Sequence, residues 1–218
     1  MPFRRTRRRD ESGAVAVEFA LIAPLIVLLF IGIMELSFLM KDYVALSSSV
    51  RGGARVASAA ADAGPGDCAA ESAAGFPCVG ANVPKAAQAA AGMMQRQGSA
   101  IPNGDIDWVI IYRAGDNGYP VGQSSLVCGT DCVKFVWEPS LEKFRYVSGS
   151  WRSSTINACL NDVDRMSVGV GMQVTHTWKT GMGGSIFGGL KEMQDRTVFQ
   201  FEPLEADRCK PGTPNAHQ

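Results

Sequence analysis

Between Phe19 and Met40 the chain reads FALIAPLIVLLFIGIMELSFLM, with Glu35 as its one ionisable side chain. A bilayer core about 30 Å thick takes roughly 20 apolar residues at a helical rise of about 1.5 Å. This run is long enough to cross a membrane, and no later stretch comes close. Pro24 lies inside it and removes one helical hydrogen bond, a loss that neighbouring groups in a membrane soften.

The flanks orient the span. Arg4, Arg5, Arg7, Arg8 and Arg9 precede it, and such a cluster is held on the cytoplasmic side. All six cysteines follow it, as suits an oxidising compartment. The balance of 21 basic and 21 acidic residues hides an asymmetry. With the leader set aside, the remainder is slightly acidic, which argues against a nucleic-acid surface. Glu18, near the start of the apolar run, is costly there unless it sits solvated at headgroup depth or has a functional partner.

Glu18 does not stand alone. An arginine-rich tail leads to Gly13, then Ala14, Val15, Ala16 and Val17, then Glu18 and Phe19 at the head of the helix. This pattern resembles the processing site of type IV prepilins. Over residues 11–55, GAVAVEFALIAPLIVLLFIGIMEL with Pro24 and Glu35 resembles the TadE-like pseudopilins, or minor pilins, of the tight-adherence (Flp/Tad) pilus system. Further on, the likeness rests on a cysteine-containing β-rich region and the closing Phe201, Glu202 and Pro203.

The resemblance implies Sec-dependent insertion and cleavage by a membrane prepilin peptidase between Gly13 and Ala14. Glu18 becomes the fifth mature residue and, with Phe19, a determinant of processing and assembly. Gly13 presents no side chain to a tight peptidase site and lets the backbone unwind. Cleavage frees an α-amino group at Ala14 that can pair with a neighbouring subunit's glutamate, and a paired buried charge costs less than an orphan. The implied partners are the prepilin peptidase, other Tad/Flp pilins and pseudopilins, the inner-membrane platform of the pilus machine, and membrane lipid. The implied location is the cell membrane, single-pass, with the N-terminus cytoplasmic and the C-terminal domain extracytoplasmic, or an extracellular pilus supporting adhesion or secretion.

Two other readings use the same residues. A removed signal peptide would leave a soluble secreted domain, with Ala57, Ser58 and Ala59 as small residues for a signal peptidase. The apolar run exceeds the usual 7–15 residues of a signal core, and Lys41 and Asp42 separate it from that site. Alternatively the helix is a plain tether for an extracytoplasmic binding domain.

Along the chain, 1–13 reads as a disordered cytoplasmic leader and 14–61 as a transmembrane and stalk helix. Tyr43, Val44, Leu46, Val50, Ala54, Val56 and Ala57 continue the helical spacing, weakened by Gly52 and Gly53. Residues 62–203 form the extracytoplasmic domain and 204–218 the tail. Pro84 suits the start of an alanine-rich helix at 85–96, ending near Gly98, with Met93 and Met94 as core or groove fillers.

Strands are expected at 107–113, 133–138, 143–148, 166–179 and 195–202, the second and third forming a hairpin across Pro139 and Ser140. Gly169 and Gly171 are expected to allow a bend or bulge. Ile186 and Phe187 are expected to anchor the glycine-rich loop 181–189. The fold class is α+β: a long N-terminal pilin-type helix, then an antiparallel sheet with one shorter helix, stapled by disulfides.

Six cysteines allow 15 pairings. Proximity suggests Cys68 with Cys78 and Cys128 with Cys132, leaving Cys159 with Cys209. Cys128 and Cys132 also have the spacing of half a zinc site, without a matching second pair. A redox C-x-x-C is absent. No G-x-S-x-G, H-E-x-x-H or phosphate-binding G-x₄-G-K-[ST] occurs. His176, beside Trp178, reads as a half-exposed strand residue, His217 falls in the tail, and the acidic pair Asp162 and Asp164 reads as loop chemistry. The chain is expected to have no catalytic residues, metal or cofactor, and to be an enzyme's substrate.

Overall fold

The computed structural model describes residues 12–97, 101–159, 165–181, 184–185, 191–204 and 209. The arginine leader, Gly98, Asp162, Asp164, Ile186, Phe187, His217 and the tail apart from Leu204 and Cys209 lie outside the described residues.

Helix α1 (Ser12–Ala59) runs unbroken for 48 residues, roughly 70 Å at the usual rise. Ser12 and Gly13 are already helical, so the helix takes in the end of the segment read as leader. Its two halves have opposite surroundings. From Val15 to Met40 nearly every large apolar side chain is exposed, Leu21 at 75 %. From Leu46 onward Val50, Ala54, Ala57 and, just past the helix, Ala61 are buried. Steps of three and four residues place them on one face.

Helix α2 (Ala69–Ala73) is a single turn between Cys68 and Cys78. Five residues among Gly, Pro and Asp carry no periodicity, which is why the sequence does not announce it. Its Glu71 is buried and meets Lys143 Nζ at 2.9 Å. Helix α3 (Lys85–Gln97) follows Pro84 and lays Ala87, Ala90, Ala91 and Met94 against α1. Small residues let the two helices approach closely. A Cβ on Gly53 would lie only 3.2 Å from the Met94 side chain.

The sheet is antiparallel throughout: β1 (Ile106–Arg113), β2 (Cys132–Glu138), β3 (Lys143–Ser150), β4 (Ser167–Thr175) and β5 (Glu192–Gln200), in the order β3-β2-β1-β4-β5. Val109, Ile111, Val133, Phe135, Val168, Val170, Met172 and Val174 face the helices in the main core. That alternation is the period-two pattern of a sheet covered on one face. The opposite face is covered only locally, where Ile110, Tyr112 and Cys132 gather Trp108, Leu126 and Cys128.

Gly169 and Gly171 do not make a bulge. β4 pairs in continuous register with β5 past both, and the one irregularity against β1 falls between Ile106 and Trp108. They are glycines because side chains cross them: a Cβ on Gly169 would lie 2.3 Å from the Tyr112 ring, and one on Gly171 would lie 2.9 Å from Leu126.

Three disulfides close, Cys68–Cys78, Cys128–Cys132 and Cys159–Cys209. Beyond β5 the chain returns to the stalk. Phe201 is buried with its ring centroid 6.1 Å from that of Trp151, and Glu202 N–H donates to Ser58 O at 2.9 Å. The closing Phe-Glu-Pro thus seats the end of the sheet on the top of α1.

Candidate functional site

The N-terminal half of α1 holds the predicted processing and assembly residues. A Cβ built on Gly13 meets nothing within 4 Å, and Ala14, Glu18 and Phe19 are all exposed, Phe19 at 67 %. Among the described residues Glu18 makes no hydrogen bond or ion pair. These four residues lie on successive turns of one bare helix, open to whatever surrounds it. The six cysteines sit apart from this region in the domain, where they brace loops.

A second set of groups ties the helix to the domain where the apolar run ends. Glu35 is 1 % exposed although its helical neighbours are bare. The chain beyond β4 covers it: the backbone N–H groups of Lys179 and Thr180 donate to its carboxylate at 3.3 and 2.5 Å. Two turns further along, Asp42 Oδ2 meets His176 Nδ1 at 2.7 Å. Seven residues apart, Glu35 and Asp42 share one helix face, and Leu46 continues that stripe into the core.

His176 is therefore not a half-exposed strand residue. β4 stops at Thr175, and His176 is buried, its ring edge-on to Trp178 at 4.8 Å. Its backbone N–H donates to Lys191 O at 2.7 Å, closing the neck of the excursion between β4 and β5. The expected strand at 166–179 is shorter because its last residues leave the sheet to reach the helix. The last strand correspondingly begins earlier than 195, at Glu192, opposite Thr175.

The importance of Glu35, Asp42, Lys179 and Thr180 was not read from the sequence. The available signal was Glu35 itself, a lone carboxylate in an apolar run, seven residues before another acid. A buried carboxylate needs donors, but nothing in the sequence said that they would come from the chain some 145 residues on.

On the domain's outer face, Tyr112 Oη donates to Gly118 O at 3.0 Å, and burial pushes its phenol up to about 12. Arg196 lies over the Tyr119 ring at 3.6 Å. These contacts hold the 115–131 loop, with Cys128–Cys132, over the sheet. Among the described residues no group of three or more His, Cys, Asp or Glu side chains is arranged to hold a metal ion.

One long apolar N-terminal helix with a domain mounted on its C-terminal half fits a single-pass membrane anchor. Within that class, residues 13–55 match the family model described as TadE-like protein. The matched segment takes in Gly13, Ala14, Glu18, Phe19, Glu35 and Asp42, and it stops inside the part of α1 that packs on the domain. No curated protein and no solved structure matches the chain. The match agrees with the family resemblance seen in the sequence and suggests a Tad pilus-associated protein.

Proposed function

We propose that this chain is a minor pilin or pseudopilin of a tight-adherence pilus. In this reading the leader 1–13 is cytoplasmic, 14–61 is the transmembrane and stalk helix, 62–203 is the extracytoplasmic domain and 204–218 its tail. A prepilin peptidase cuts between Gly13 and Ala14, and the freed helix packs among other Tad/Flp pilins and pseudopilins on the inner-membrane platform. The assembled protein supports adhesion or secretion from the base or the body of the pilus.

The observation that carries this reading is the exposure of Glu18 on a bare apolar helix within the TadE-like segment. A carboxylate held in apolar surroundings without a partner is unfavourable. The α-amino group of a neighbouring processed subunit supplies the missing charge, so the same pair that relieves Glu18 sets the register of assembly.

The test is Glu18→Leu in cells that assemble the pilus. Membrane insertion is retained, because Leu suits the span at least as well, while incorporation into pili is lost. A Glu18→Leu protein that enters pili at the wild-type level would contradict the reading and leave the helix a simple tether.

A further inference from the structure

A cavity of about 370 Å³ opens where the helix meets the base of the domain. Its position along α1 fixes its depth in the membrane. Residues 19–38 make about 30 Å of helix, the thickness of the hydrocarbon core. Phe38 then lies at the outer edge of the core, and Lys41, one turn on, lies among the headgroups. Both line the cavity, together with Lys179 from the segment after β4 and Ile101, Asn103 and Asp105 from the turn before β1.

The charges in this cavity are uncommitted. Neither Lys41 nor Lys179 makes an ion pair among the described residues, and the same holds for the Asp105 carboxylate. Asp42, on the same wall, is occupied by His176. The cavity therefore offers two ammonium groups and one carboxylate above an apolar edge formed by Phe38, which is 39 % exposed. The backbone N–H bonds from Lys179 and Thr180 to Glu35 hold the Lys179 wall in place.

We propose that this cavity binds the headgroup of an amine-bearing zwitterionic phospholipid, of the phosphatidylethanolamine class. The phosphodiester lies between Lys41 and Lys179, the headgroup ammonium meets Asp105, and the acyl chains descend past Phe38 along the bare helix. A free phosphate would satisfy the two lysines but would leave Asp105 and the apolar edge unused. The proposal rests on the helix spanning the membrane, and the bound lipid would fix the height and tilt of the domain over the bilayer before assembly.

The experiment is native mass spectrometry of the full chain released from nanodiscs of phosphatidylethanolamine and phosphatidylglycerol, together with alkaline carbonate extraction of membranes. The wild type retains phosphatidylethanolamine, and millimolar inorganic phosphate does not displace it. Lys41→Gln with Lys179→Gln weakens retention roughly tenfold or more, Asp105→Asn removes the preference for the amine lipid, and Lys191→Gln, outside the cavity, changes nothing. Unchanged retention in the double variant, or full displacement by inorganic phosphate, overturns the lipid site while the carbonate-resistant anchor stands. Extraction of the wild type by carbonate would overturn the anchor and the lipid site together.

Discussion

His176 Nδ1 lies 2.7 Å from Asp42 Oδ2, joining the residue just past β4 to the stalk helix at the point where the apolar run gives way to the domain. With the backbone bonds to Glu35, it makes the lower of two attachments between α1 and the sheet. The upper one is the Leu46 to Ala61 stripe against α3, β4 and β5. Attachments spread along the helix from Glu35 to Ala61, about 40 Å at the usual rise, prevent the domain from swinging on its anchor.

The pair is predicted to be coupled. Asp42→Asn and His176→Phe each destabilise the domain, and the double variant is less destabilised than their sum by about 1–2 kcal/mol. Chemical denaturation of the four proteins in detergent measures this. Strict additivity would mean that the two side chains are neighbours without an energetic link.

Gly169→Ala is predicted to be costly where the same change is ordinarily mild. Its new Cβ would collide with the Tyr112 ring, which the bond to Gly118 O holds in place. Overpacking of this kind costs about 1–3 kcal/mol. Gly171→Ala meets the flexible end of Leu126 at 2.9 Å and Ile110 Cγ1 at 3.2 Å, a milder overlap, and is predicted to cost less. Thermal unfolding of the two variants ranks them, and equal midpoints would contradict the packing of Tyr112 over β4.

Tyr112 also gives the fold an alkaline limit. Burial holds its phenol neutral up to about 12, whereas an exposed tyrosine ionises near about 10. Between those values the unfolded chain releases a proton that the folded chain keeps, so stability present below about pH 10 falls progressively toward pH 12. Ultraviolet titration should show one of the four tyrosines ionising late, and Tyr112→Phe should remove both that late step and its share of the alkaline loss. Four tyrosines ionising together near pH 10 would contradict the burial.

The sequence was most informative where the pattern is local. The apolar run and the three-and-four spacing beyond it placed α1 at 14–61, within two residues of each observed end. Alternation marked the hairpin of β2 and β3, whose turn includes Pro139 and Ser140. Contacts between distant segments were another matter. Asp42 and His176 are 134 residues apart, and no local period links them. Alternation carried the expected β4 through Lys179 because Thr177 and Lys179 continue the polar phase, yet Glu35 draws exactly that stretch out of the sheet. Gly169 and Gly171 looked like breaks in a strand, since a glycine's neighbour across the sheet is invisible until Tyr112 and Leu126 are placed. The pattern at Gly13 and Glu18 is local by contrast: it lies within six residues of sequence, which in the proposed reading a peptidase reads in linear form.

The central claim is that the chain is a pilin-type subunit that keeps its helix and loses its leader. The most direct measurement is N-terminal sequencing of the protein from membranes, with and without the host's prepilin peptidase. The account predicts a start at Ala14 that disappears in the peptidase-deficient strain. A start near Ala60 would make the span a discarded signal peptide, and an unprocessed Met1 in both strains would make it a plain tether. Either result would contradict the account.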